Sequence, residues 1–170
     1  MNTTNIILIP LLPFLVFVIL GLGGKRLFGD RSGWVGTLAM LVSFVLALTV
    51  SLGYFADRPQ DGYVAQVPFS LSWLSFGNGL QIDMGLMLDP ITAMMLLVVT
   101  FISLMVHIFS LAYMKGEDRF HVYYAFLGLF TFSMLGLVLS SNLFQIYIFW
   151  ELVGVSSFLL IGFYYQKTTA

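Results

Sequence analysis

Five stretches of this sequence are too long and too apolar to fold in water, and they restrict the architecture before any single residue is considered. They run over about 6–22, 34–55, 91–113, 122–139 and 143–165. Each is close to the length a helix needs to cross a hydrocarbon layer. In lipid every backbone polar group must be satisfied internally, so an α-helix is the form these runs can take. The chain as a whole is 59% hydrophobic and only 9% charged, which excludes an ordinary soluble domain. The expected fold is therefore an all-α membrane protein with about five transmembrane helices.

The first run could be mistaken for the core of a signal peptide, but no basic segment precedes it. Its positive charges follow it, in Lys25, Arg26 and Arg31, which favours a retained helix with its N-terminus outside. Pro10 and Pro13 are expected in the first two turns, where a missing N–H is least harmful. With the N-terminus outside, the inner segments hold Lys25, Arg26, Arg31, Lys115, Arg119 and Lys167, and the outer ones hold only Arg58. The flipped orientation would invert that ratio. Tyr113, Tyr123, Tyr124, Tyr164 and Tyr165 fall near the ends of spans, as interfacial aromatics do.

Between the second and third runs the period changes. After the polar turn Asp57–Gly62, the apolar residues Val67, Phe69, Leu71 and Trp73 alternate with Pro68, Ser70 and Ser72. Beyond Gly77-Asn78-Gly79, Leu80, Ile82, Met84 and Leu86 alternate with Gln81, Asp83 and Gly85. Period two on both sides of such a turn predicts a short β-hairpin over about 67–87, placed outside the membrane. Asp89-Pro90 is a helix start, with a capping carboxylate followed by proline at the first helical position. Ser140-Ser141-Asn142 makes a tight turn between the last two runs.

Two residues stand out against these apolar stretches. Glu151 is the only charge in the last run and lies roughly 12 Å from its start at about 1.5 Å per residue. A carboxylate at that depth is costly to insert, so it is expected to face the protein interior and to act there. Gly154 and Ser157 would let another helix approach it, and Val155 and Phe158 continue its face. The competing reading is a neutral acid that only holds two helices together. No Lys or Arg within the runs offers Glu151 a cation. His107, in the third run, reads either as a buried imidazole bridging two helices or as a proton relay.

Other chemistry is bounded by composition. The chain has no Cys, so it offers no thiolate for a disulfide, an iron–sulfur cluster or a soft metal. No metal site is expected. With a net charge of −1 and no basic patch, nucleic acid is not an expected partner.

The motifs Asn142-Leu143-Phe144-Gln145, Trp150-Glu151-Leu152-Val153-Gly154 and Ser157-Phe158-Leu159-Leu160-Ile161-Gly162-Phe163-Tyr164-Tyr165 resemble a known family. Leu88-Asp89-Pro90, His107 and Tyr113-Met114-Lys115-Gly116-Glu117 add to the likeness. The chain is similar to the N-terminal part of antiporter-like subunit 5 of respiratory complex I, the L subunit of bacterial NADH–quinone oxidoreductase. The resemblance implies a proton-pumping subunit of the membrane arm, multi-pass in the bacterial inner membrane. It implies inverted repeats of discontinuous helices, in which Glu151 matches an essential glutamate of the fifth helix. That glutamate pairs with a lysine on a later helix, expected here in a remainder of the polypeptide beyond 1–170. No cofactor is implied for this chain; NADH, FMN, iron–sulfur clusters and quinone belong to other subunits. The expected partners are those membrane-arm subunits, the remainder of the polypeptide and the lipid bilayer.

Leu152 stands where many complex I members have Gly, and Leu at that place also occurs in the large subunit of Mrp-type cation/proton antiporters. The Tyr113–Glu117 loop and the Gly162–Tyr165 ending favour complex I. Three readings therefore enter the structural comparison: a redox-driven pump subunit, a sodium/proton antiporter subunit, and a scaffold in which Glu151 only packs.

Overall fold

The structure is a computed structural model that describes residues 3–56, 64–77 and 79–165. The polar segment around Arg58, Asn78 of the expected turn and Lys167 lie outside the described residues. Five helices make up most of it: α1 (Thr3–Leu27), α2 (Ser32–Ala56), α3 (Pro90–Tyr113), α4 (Phe120–Val138) and α5 (Leu143–Ile161). All five contain windows long and apolar enough to cross a membrane, and the chain is a multi-pass membrane protein. Between α2 and α3, β1 (Gln66–Phe76) and β2 (Leu80–Leu88) pair as an antiparallel hairpin.

The outward faces of the helices are built largely from Leu, Ile, Val, Met and Phe, and the inward faces combine buried Leu, Ile and Tyr with small and hydroxyl residues. The inner face of α2, for example, is Ser32, Gly33, Gly36, Thr37, Met40, Ser43, Ala47, Val50, Ser51 and Tyr54. In lipid no apolar gain comes from bringing helices together, so close backbone approach and hydrogen bonds do that work. Gly128 of α4 shows the approach: a β-carbon there would stand 2.9 Å from the Pro13 carbonyl oxygen of α1. The hydroxyls turn back on the backbone, as with Thr37 on Gly33, Thr100 on Leu96 and Ser133 on Leu129. Ser51 instead crosses from α2 to the Ala93 carbonyl of α3 at 2.8 Å.

The helix bounds correct the expectation for the two prolines. Because α1 begins at Thr3, Pro10 and Pro13 are interior, not in the first two turns. Pro13 has no N–H for the Ile9 carbonyl four residues earlier. Ser43 of α2 supplies the missing donor, its hydroxyl reaching the Ile9 oxygen at 3.2 Å. A helix interruption in lipid is tolerated where a neighbour satisfies the freed group, and α1 meets that condition at Pro13.

The hairpin departs from simple alternation. Its register is Phe69 to Leu86 and Leu71 to Met84, then Leu74 to Ile82 and Phe76 to Leu80. Irregularities fall between Gln66 and Phe69 and between Ser72 and Leu74, so Trp73 lies in a bulge and the apolar set changes parity after it. Strand β2 packs on the bundle through Ile82, Gly85 and Leu88, while β1 is exposed along nearly all its length. The hairpin and the α4–α5 turn share one end of the bundle, where Met87 N–H donates to the Leu139 carbonyl. At the other end Gly24 packs on His121, and the Arg119 guanidinium lies over the Phe163 and Tyr165 rings. Tyr124 also differs from its expected interfacial place: it is fully buried, and its hydroxyl donates to the His107 carbonyl.

Candidate functional site

Helix α5 starts cleanly because Asn142 caps it, its side-chain oxygen accepting from Gln145 N–H at 2.9 Å. From there the helix packs on α4 along one side. Gln145 and Ser156 are its buried residues, and only 11% of its spanning window is buried. Glu151 lies on the opposite side, exposed, with Tyr147, Trp150, Gly154, Val155 and Phe158 around it. A β-carbon at Gly154 would meet nothing within 4 Å. The expectation that Glu151 faces a packed interior therefore does not hold within the described residues. The helix face that carries the acid is left uncovered by the described residues, and the small residue beside it leaves room for a close neighbour.

His107 has the opposite surroundings. It is 1% exposed, where α2, α3 and α4 meet. Its Nδ1 lies 2.7 Å from the Ser103 carbonyl oxygen one turn earlier. A carbonyl can only accept, so Nδ1 carries the proton. The Tyr124 ring stands edge-on to the imidazole, with centroids 5.6 Å apart, and its hydroxyl donates to the His107 carbonyl at 2.7 Å. Hydroxyls extend the polar seam: Ser103 pairs with Thr131, and Ser110 with Tyr123. These contacts tie α3 to α4 through the Tyr124 hydroxyl and the Ser103–Thr131 and Ser110–Tyr123 pairs, while the hydrogen bond of the imidazole itself stays within α3. The structure does not bring His107 and Glu151 together, since one is enclosed by α2, α3 and α4 and the other faces away from α4.

A third group was not singled out by chemistry in the sequence. Asn142 and Gln145, at the start of α5, both reach across to β2. Gly85 N–H donates to Gln145 Oε1 at 3.0 Å, and Asn142 Nδ2 donates to the Asp83 carbonyl. Gln145 is 4% exposed and its Oε1 also lies 3.4 Å from the Ser141 hydroxyl. The signal was present in part: the capping role of Asn142 is local, but its partner lies 59 residues away.

Residues 73–124 match the family described as NADH-ubiquinone oxidoreductase (complex I), chain 5 N-terminus. Residues 140–170 match the family described as NADH:quinone oxidoreductase/Mrp antiporter, transmembrane. The chain is 39% identical over 166 residues to NAD(P)H-quinone oxidoreductase subunit 5, chloroplastic, of Chaetosphaeridium globosum, covering 96% of this chain and 24% of that protein. It is 36% identical to the protein of the same description in Marchantia polymorpha, covering 98% of this chain and 24% of that one. The chain thus spans about a quarter of the length of these curated relatives. Among solved structures it is similar to a chain in the Mrp complex from Dietzia sp. DQ12-45-1b. The TM-score is 0.69 at 28% identity, covering 92% of this chain and 16% of that one.

Proposed function

We infer, from the premise that this chain belongs to the family of complex I chain 5 and its antiporter relatives, that it takes part in proton translocation in the membrane arm of an NADH–quinone oxidoreductase. The observation that carries the reading is Glu151 itself: a carboxyl group midway along a spanning helix, on a face that nothing in the described residues covers. Left against lipid, such a charge costs at least about 2.5 kcal/mol. A helix bearing a cation, from further along the same polypeptide or from a neighbouring subunit, would remove that cost. Gly154 leaves space for it. A carboxyl group whose charge depends on the distance of one cation can hold and release a proton as that distance changes.

Electron transfer belongs elsewhere in this proposal. The chain has no Cys to ligate an iron–sulfur cluster, and NADH, FMN and quinone are assigned with the clusters to other subunits. Those membrane-arm subunits and the lipid bilayer are its partners. The antiporter reading is supported by Leu152, by the structural likeness to the Mrp complex and by the match over 140–170, whose description names both classes. Proton uptake into inverted membrane vesicles, driven by NADH oxidation in the assembled complex, tests the choice. Uptake that is indifferent to sodium is expected. Uptake that requires a sodium gradient would move the chain to the antiporters.

The proposed orientation has the N-terminus outside, with six of the seven basic residues on the inner side. The bacterial inner membrane is assigned from the resemblance to the bacterial L subunit, whereas the relatives reported above are chloroplast proteins. Ser75 in the hairpin and Asp118 in the α3–α4 loop are exposed at opposite ends of the bundle. Single substitutions Ser75→Cys and Asp118→Cys should be labelled by an impermeant maleimide from opposite sides, Ser75→Cys from outside. Labelling of both from one side would reject the topology.

A further inference from the structure

Helix α5 packs on α4 along one side, where the Phe149 ring sits against Gly136 and Phe132, and the rest of its surface is bare. Packing therefore holds its rotation from that one side only. Its first turn is different. Asn142 uses both ends of its amide: Oδ1 caps α5 through Gln145 N–H, and Nδ2 donates to the Asp83 carbonyl of β2. One turn on, the buried Gln145 accepts from Gly85 N–H of the same strand. Gly85 permits this approach, because a β-carbon there would stand 2.6 Å from Ser141 Oγ and 3.2 Å from the Phe69 carbonyl oxygen. Strand β2 is in turn held on the bundle by Met87 N–H, which donates to the Leu139 carbonyl. Strand, turn and helix start are therefore joined by hydrogen bonds spaced along both partners.

We propose that Asn142 and Gln145 are positioning residues: by gripping β2 they set the rotation of α5 and so the direction in which Glu151 points. Glu151 follows Gln145 by six residues, about 9 Å along the axis. A rotation at the clamp is carried to the carboxyl group unchanged, because an α-helix is stiff over that distance. The inference rests on the reading of Glu151 as the proton-carrying group, and it adds what aims that group. It also gives the hairpin a part in the mechanism, since movement of β2 would turn the acid toward or away from its cation.

Asn142→Asp separates the clamp from the cap. Aspartate caps a helix as well as asparagine does, but it has no N–H to give the Asp83 carbonyl. In the assembled complex, protons taken up per NADH oxidised should fall at least about fivefold, because small misplacements of a reacting group are costly. A second readout follows rotation directly. In a Gly154→Cys background the maleimide labelling rate should change with Asn142→Asp, since position 154 shares the face of Glu151. Asn142→Ser also caps a helix but gives the Asp83 carbonyl no amide N–H and adds no charge, so it should lower uptake and change labelling in the same direction. If Asn142→Asp does not assemble, the serine variant decides. Wild-type uptake with unchanged labelling in whichever variant assembles would overturn the proposal, and so would failure of both to assemble, which would make Asn142 a folding residue instead. If Glu151 carries no proton, labelling at position 154 still reports the rotation while uptake stays at the wild-type level, so the two failures are distinguishable.

Discussion

Glu151→Gln in the assembled complex should leave assembly and NADH oxidation machinery in place and lower proton uptake at least about tenfold, within the range that loss of a proton-transfer group produces. Glutamine has the length and nearly the shape of glutamate and keeps its hydrogen-bonding capacity, so whatever helix covers the α5 face can still pack there. It cannot ionise. Glu151→Asp keeps the charge with a shorter reach and should retain part of the activity. Uptake is measured in vesicles against assembly on a native gel. A glutamine variant that pumps like the wild type at equal assembly would leave Glu151 as packing only, and the scaffold reading would stand.

The position of Glu151 in the structure sharpens that experiment. If the acid were enclosed by the described helices, its loss would be confounded with loss of their packing. It is exposed, and its neighbours Tyr147, Trp150, Val155 and Phe158 are exposed with it. Among the described residues no hydrogen bond to its carboxyl group is seen, so the substitution acts on whatever meets that face. His107 has no such separation. Its ring is seated against Tyr124 and its Nδ1–H is committed to Ser103, so most substitutions there would loosen the α3–α4 contact as well.

What could be read from the sequence follows from how far each signal reaches. The five spans and the Asp89-Pro90 start are local, and Asp89 does accept from Thr92 N–H at 2.7 Å. The hairpin was legible as alternation, although Leu74 and Phe76 already break the parity set by Phe69 and Leu71, and the bulge at Trp73 is the consequence. The depth of Glu151 could be counted along the helix, but its direction could not. A carboxyl group with no Lys or Arg in any of the five apolar runs gives no pattern to fix the face it occupies. The placement of the prolines failed for a related reason. Pro13 is tolerable because of a hydroxyl 34 residues away in α2, and nothing in the run 6–22 announces it. The clamp of Asn142 and Gln145 on β2 is likewise a property of two segments that meet only in the fold.

Gly128→Val should prevent the folded chain from accumulating in the membrane. The β-carbon alone would stand 2.9 Å from the Pro13 carbonyl oxygen and 3.3 Å from Phe17 N and Val16 Cγ1. Two of these three are backbone atoms, which cannot rotate away as a side chain can. The α1 backbone here is also held in place, since Pro13 fixes its own φ and Ser43 holds the Ile9 carbonyl one turn earlier. Relief would require α1 and α4 to separate, and they form one of the most extensive helix contacts in the molecule. Overpacking costs about 1–3 kcal/mol, and more where backbone cannot give way, which is a large part of the stability of a domain. Gly53→Val is the matched control, because a β-carbon there meets nothing within 4 Å. Protein level in the membrane and resistance to protease should fall for Gly128→Val and hold for Gly53→Val. Equal accumulation of the two would mean that α1 does not lie against α4 at Pro13. The platform on which α4 carries α5, and with it Glu151, would then have to be rebuilt.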